Sequence, residues 1–175
     1  MERLACADAT SLVLDLPGLD LRPLTRLKWA VAELLGELPW RTTALSATEL
    51  YMLERIAREK ASPPDIFKEL LQRDECGAFD YWEIGELLDG LAHCPAPAIS
   101  GLAEGPFTLE MHNDRERRRR YNKSQLSLTT LGKAVLAGTE DFSRHNPIHR
   151  WWGGTELTND RLWRYGSTLT GPVNA

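Results

Sequence analysis

The sequence predicts a mainly α protein with a small β component, an α+β fold built on a winged-helix-like three-helix core and a β-hairpin wing. Three observations carry this expectation. Three amphipathic helical patterns follow one another between Ser46 and Ala92 with short links. Residues 107–112 (FTLEMH) and 125–128 (QLSL) alternate apolar and polar with period two, as half-buried strands do. Between those two runs residues 113–124 are polar apart from Tyr121, and a short helical pattern ending at Gly138 follows. Residues 45–138 would form this domain. Residues 1–44 would supply an amino-terminal segment with a helical extension, and residues 139–175 a tryptophan-rich β appendage packed on it.

Each element has its own warrant. Residues 1–21 leave two readings open: a strand over 11–14 followed by a Pro17-Gly18 turn, or a leader draped over the rest. Leu24, Leu27, Val31, Leu34 and Leu38 then recur at spacings of three and four, an apolar stripe widened by Trp29 and Leu35 and ended by Pro39. Such a stripe buries itself against a bundle or in self-association. Ser46 with Glu49 three residues on is a capping box, opening a helix to about Lys60 with Leu50, Leu53, Ile56 and Ala57 inward. Ser62-Pro63-Pro64-Asp65 opens the next helix. Proline in a first turn removes no hydrogen bond, and Asp65 suits the positive end of the helix dipole. Ile66, Phe67, Leu70 and Leu71 are its inner side, and it ends near Asp74.

Asp80 caps the third core helix, whose Ile84, Leu87, Leu88 and Leu91 fall at i, i+3, i+4 and i+7. Pro95, Pro97, Gly101, Gly105 and Pro106 mark a loop before the first wing strand. Thr129 or Thr130 caps the last helix, Leu131, Val135 and Leu136 bury it, and Gly138 stops it. In the appendage, residues 151–157 and 161–165 read as two strands around a Thr158-Asn159-Asp160 turn, with Trp151 and Trp152 on opposite faces.

Composition bounds the function. With 42% hydrophobic and 26% charged residues in 175, the chain has the make-up of a soluble globular protein. Residues 114–123 hold six positive and two negative side chains, net +4, against −4 for the whole chain, so the remainder carries −8. That balance excludes a protein coated uniformly for nucleic acid and confines any anion binding to one place. Cys6, Cys76 and Cys94 are widely spaced with no CxxC pair, which points to reduced thiols in a cytoplasm rather than a zinc cluster or disulfide framework. Asp8 and Asp15 interrupt the amino-terminal apolar residues and argue against a signal peptide. No run approaches the roughly 18 apolar residues of a membrane span.

Several motifs together resemble an uncharacterised bacterial domain-of-unknown-function family. They are Leu45-Ser46-Ala47-Thr48-Glu49, Phe79-Asp80-Tyr81-Trp82 and the stretch 128–138 (LTTLGKAVLAG). The most specific part is the ending: Asp141, Asn146, Ile148, Arg150-Trp151, Gly153-Gly154, Leu157 and Trp163-Arg164. Full-length members carry an additional amino-terminal α/β domain. The resemblance therefore implies that this chain corresponds to the carboxy-terminal part of such a protein or to a short relative. It departs at His149, where the family carries an acidic residue. The family brings no established activity with it.

The chemistry rests on the residues themselves. Arg115, Arg117, Arg118, Arg119, Arg120 and Lys123, on a mobile hairpin tip, would straddle phosphates, each contact adding a salt-dependent increment, or reach a minor groove. The plainer alternative is a solvated tip facing the acidic remainder of the chain. Glu83, Glu86 and Asp89 line one side of the third core helix, and no basic residue occurs between Asp80 and Ala92. That helix is therefore unsuited to a major groove and better suited to a protein partner. Asp141, His145 and His149 have four-residue spacing, but Pro147 breaks a helix there and no fourth ligand follows, so no metal is assigned. The adjacent pair His93-Cys94 points in different directions, Ser46 sits in no GxSxG elbow, and Gly153-Gly154 is no P-loop, so no catalytic residue or cofactor is assigned. Trp151, Trp152 and Trp163 with Arg150, Arg161 and Arg164 could stack a base, but aromatics near a terminus more often lock it to the core.

The resulting expectation is a non-catalytic interaction or regulatory module in the cytoplasm that contacts nucleic acid through its wing. The alternatives are a protein–protein or dimerisation module using the acidic helix and the Leu24 to Leu38 stripe, or an accessory domain acting with an enzymatic α/β part.

Overall fold

Capping chemistry places the helix boundaries of the computed structural model, which describes residues 25–73, 79–152 and 154–166. After α1 (Thr25–Gly36), the Ser46 hydroxyl accepts from the Glu49 N–H while the Glu49 carboxylate accepts from the Ser46 N–H at 2.7 Å, and α2 (Ala47–Arg58) starts there. Asp65 accepts from Ser62 N–H at 2.9 Å at the head of α3 (Pro63–Arg73). Asp80 and Glu83 form a second capping box for α4 (Tyr81–Ala92). Thr129, rather than Thr130, caps α7 (Thr130–Leu136), and the chain leaves that helix through Gly138 at φ +71°, a backbone region glycine enters without strain.

The architecture is mainly α with small β, as the sequence predicts; of the two expected wing strands the second is found, within residues 125–128, and the first is not. β1 is Ile99–Ser100, inside the stretch expected to be loop, and it pairs antiparallel with β2, Ser127–Leu128, in the register Ile99 to Leu128 and Ser100 to Ser127. Ala61, in the link between α2 and α3, bridges Leu126 on the other side, with Leu126 N–H donating to the Ala61 carbonyl at 2.9 Å. Helix, bridge, helix, helix, strand and returning strand is the order of a winged helix, and what replaces its wing is a pair of helices.

Residues 107–112, expected as the first wing strand, enter α5 (Leu109–Asn113), and the expected basic hairpin tip is α6 (Arg115–Asn122). Phe107 and Met111 are buried while Leu109 is 59% exposed. The inward positions are thus i and i+4, a helical relation, and the apparent period of two fails at its middle residue. Thr108 caps α5 by accepting from Met111 N–H, and Asp114 caps α6 by accepting from the N–H groups of Glu116 and Arg117. Arginine has high helix propensity, and no glycine or proline interrupts 107–124. Local energetics therefore favour helix over an extended basic loop.

The α5–α6 pair is fastened by aromatic packing. Phe107 lies 5.4 Å from Phe67 and 5.1 Å from Tyr121, ring centre to ring centre, joining α3 to α6. Phe107 also sits directly on Gly85 of α4, where a Cβ would fall inside the phenyl ring. On α1 the buried stripe is Val31, Leu35 and Leu38, whereas Leu34 turns outward and is 50% exposed. Among the expected inner residues Ala57 and Leu71 are also exposed, and Met52 takes a core position in α2. Leu24 and the expectations for residues 1–21 lie outside the described residues.

The carboxy-terminal segment folds back onto this core through Phe142, Ile148, Leu157 and Leu162. The hairpin differs from the expected one. β3 (His149–Trp152) pairs with β4 (Thr155–Thr158), so the run read as one strand contains both strands, turning at Gly154 (φ +81°). Asn159–Arg161 is a 3-10 turn, and Tyr165 bridges Trp40 in parallel. Among the described residues no helix is long and apolar enough to cross a membrane.

The two glycines of α4 make opposite predictions. Gly85→Ala should lower stability by about 1–2 kcal/mol, because overpacking against a rigid ring outweighs the gain of about 1 kcal/mol in helix propensity. Gly90, where a Cβ meets nothing within 4 Å, should gain about 0.5–1 kcal/mol on change to alanine. Urea titrations of both variants, and of Gly85→Ala in a Phe107→Ala background where the penalty should vanish, check this.

Candidate functional site

The cations expected to act together are divided by the helix that carries them. Tyr121 is the buried anchor of α6. With 100° per residue, Arg117 and Arg120 lie on one flank of that anchor, and Arg115, Arg118, Arg119 and Asn122, at i, i+3, i+4 and i+7, lie on the other. The first flank is occupied. Glu104 accepts from Arg117 Nε at 3.0 Å and from Arg120 Nε at 2.6 Å, and Arg117 also donates to the Gly105 carbonyl at 3.2 Å. The hydrogen bonds from Arg120 and Arg117 hold the Glu104 carboxyl below the usual range.

On the second flank Arg115, Arg118 and Arg119 are exposed, and among the described residues no ion pair joins them or Lys123 to a carboxylate. Lys123 itself caps the end of α6, its N–H donating to the carbonyls of Arg119 and Arg120. Of six cations expected on a mobile tip, four remain available, on a helix held rigidly by Tyr121 and by the Glu104 clamp. Burial pushes the Tyr121 hydroxyl well above the ordinary tyrosine range, and Asp89 adds to the shift; among the described residues the hydroxyl has no hydrogen-bond partner.

The acidic side of α4 is divided as well. Glu83 donates nothing to a free surface charge pattern without first serving the helix, since it accepts from the Asp80 N–H at 2.8 Å in the capping box. Asp89 is half-buried and pairs with His93 at 2.7 Å. Glu86 is exposed. Glu83 and Glu86, with Leu87 and Gly90, border a cleft of about 420 Å³ on the side of α4 that faces β3. Tyr81, Trp82, Gly85 and Asp89 lie on the opposite side of α4, facing the Phe107 segment. Trp82, Glu83, Glu86 and Gly90 leave one face of α4 exposed, and the charges on that face are acidic, which suits it poorly to the phosphates bordering a major groove.

The floor of the cleft pairs charged groups whose partners the sequence did not indicate. Arg150 of β3 reaches Glu49 of α2 in two parallel bonds, at 3.0 Å and 3.1 Å, and the Glu49 charge raises the arginine's pKa further. Glu37 accepts from the Thr48 hydroxyl at 2.7 Å through one carboxylate oxygen, while the other is buried with no partner among the described residues. Burial pushes the Glu37 carboxyl up, opposed by hydrogen bonds from Thr48 and Ser46. Glu49 was legible only as a cap, a role that already accounted for its spacing. Glu104 and Glu37 carry no local signal at all.

The remaining candidates fall in separate places. His145 pairs with Glu140 at 3.0 Å, His149 with Glu156 at 2.9 Å, and Asp141 with Arg164 at 2.8 Å, so the three are not brought together. Among the described residues no group of three or more histidine, cysteine or acidic side chains has metal-binding geometry. The Cys94 thiol is half-buried and shifted up by burial, hence unreactive at neutral pH. Trp152 donates to the Leu34 carbonyl at 3.1 Å and is half-buried, whereas Trp151 on the other face is 67% exposed. No family model matches the chain, and no curated protein or solved structure is significantly similar to it.

Because Glu37 takes up a proton more readily folded than unfolded, the native state gains stability as pH falls from neutral towards the ordinary carboxyl value of 4.5. Glu37→Gln should therefore melt higher than the native chain at about pH 7–8, and the gap should close near about pH 4.5. Circular-dichroism melts across that range decide it; a gap independent of pH would show that the carboxyl charge is not the cause.

Proposed function

We propose that this chain is a non-catalytic interaction module of the reducing cytoplasm that contacts the phosphate backbone of nucleic acid through α6. The observation that carries the reading is the asymmetry of its arginines. Glu104 holds Arg117 and Arg120, while Arg115, Arg118 and Arg119 stand on the opposite flank, with no carboxylate paired to them among the described residues. Guanidinium groups at i, i+3 and i+4 on a fixed helix match a track of phosphates better than the same groups on a mobile loop, because less backbone freedom is lost on binding. The acidic remainder of the chain limits the contact to this patch and makes it strongly salt-dependent. The second reading, a protein partner, draws on Glu83 and Glu86 at the mouth of the cleft beside exposed Trp151, which together suit a basic side chain.

Fluorescence anisotropy with labelled random-sequence DNA over a salt series separates the two readings. The native chain should bind in the micromolar range at low salt. Changing Arg115, Arg118 and Arg119 together to alanine should abolish most binding and flatten the log–log salt slope by about 2–3, at about 0.7–0.9 per lost phosphate contact. Changing Arg117 and Arg120 instead should lower thermal stability and leave the slope of the folded fraction nearly unchanged. Failure of the native chain to bind at low salt would discard the nucleic-acid reading and leave the protein partner.

A further inference from the structure

Resting on that reading, we infer that the nucleic acid is single-stranded, its bases stacking on an aromatic ledge formed by Trp82 and His112 beside the arginine flank. Trp82 opens α4 and is 36% exposed; His112 closes α5, 5.3 Å away ring to ring and inclined at 65°. Tyr81 lies 5.9 Å from His112 and supports the ledge from beneath, together with Phe107 at 5.5 Å from Trp82. Leu109, one turn before His112, is 59% exposed and extends the apolar surface. The ledge and the cations are contiguous. Arg115 follows His112 by three residues, and the Arg118 charge reaches the Tyr81 hydroxyl, opposing the upward shift that burial imposes on it.

The choice of a single strand follows from what this surface lacks. Bases in a duplex show only their edges, and reading them takes a helix in the major groove or an extended wing in the minor groove. Here the exposed face of α4 carries Glu83 and Glu86, which repel phosphate, and the expected wing is two short helices packed on the core. A single strand offers base faces, which aromatic rings bind whatever the sequence, next to phosphates that arginines bind. An exposed tryptophan and a half-buried histidine, bordered by arginines that have no ion pair among the described residues, fit that pair of demands. The same surface would accept DNA or RNA, since nothing in the ledge addresses a 2′-hydroxyl.

The test compares oligo(dT), oligo(U) and a random duplex of equal length as anisotropy probes of the full chain. Single strands should bind at least about tenfold more tightly than the duplex at matched salt. Trp82→Ala should weaken single-strand binding by about 5- to 100-fold with the salt slope unchanged, because stacking is lost and no phosphate contact is. Trp82→Phe should restore most of it. Since Trp82 touches Phe107, a second measurement uses the native chain: photo-crosslinks to 4-thiouridine oligonucleotides, mapped by mass spectrometry, should fall on Trp82 or His112. Duplex binding as tight as single-strand binding, an unaffected Trp82→Ala variant, or crosslinks confined to other residues would overturn the inference while leaving the phosphate contact standing. Binding to none of the probes would overturn both.

Discussion

The placement of nearly everything else depends on one buried carboxylate. Glu49 is 4% exposed, caps its own helix by accepting from the Ser46 N–H, and accepts two bonds from Arg150 a hundred residues away in sequence. A buried ion pair of this kind adds little net stability, because removing both charges from water costs about as much as their attraction returns. Its effect is geometric. Once Arg150 must meet Glu49, the β3–β4 hairpin has a fixed position over α2 and α4, and an alternative docking would leave a charge buried without a partner. Asp141 with Arg164, and Asn146 with the Ala96 backbone in both directions, fix the same segment at its two sides.

That docking has a consequence for α4. In the helical order found here α4 occupies the place of a recognition helix, yet the carboxy-terminal hairpin lies along one side of it and the Phe107 segment along the other. Its acidic residues are turned to the cleft or to His93, which removes them from the surface that α6 presents. An acidic protein can in this way keep a local positive field for steering an anion.

The arginine helix shows how packing selects among identical side chains. Arg117, Arg118, Arg119 and Arg120 are consecutive, so a helix sends them 100° apart, and Tyr121 decides which way each points by being the residue that goes inward. Glu104, sixteen residues before Arg120, then takes the two that emerge on its side. On an extended loop all six cations would have been equivalent. Their division into a structural pair and an exposed set is a product of the fold.

The sequence alone determined α1 to α4 and α7 and the caps of α2, α4 and α7, but not α5 and α6. Ser46, Asp80 and Thr129 act over three residues of their own chain, so a capping box or a cap followed by an i, i+3, i+4, i+7 stripe is legible without any tertiary partner. The opposite-facing Trp151 and Trp152 were legible for the same reason, since alternation along a strand is a local property. Only the tertiary structure decided which short apolar runs became strands. β1 has two residues, too few for a period, and exists because β2 pairs with it. Residues 107–112 alternate like a strand, but Gly85 of α4 leaves room for the Phe107 ring, and burying Phe107 and Met111 while Leu109 stays exposed is incompatible with a strand. The partners of Arg117, Arg120 and Arg150 were equally invisible, because a charge–charge contact between segments distant along the chain leaves no spacing to read.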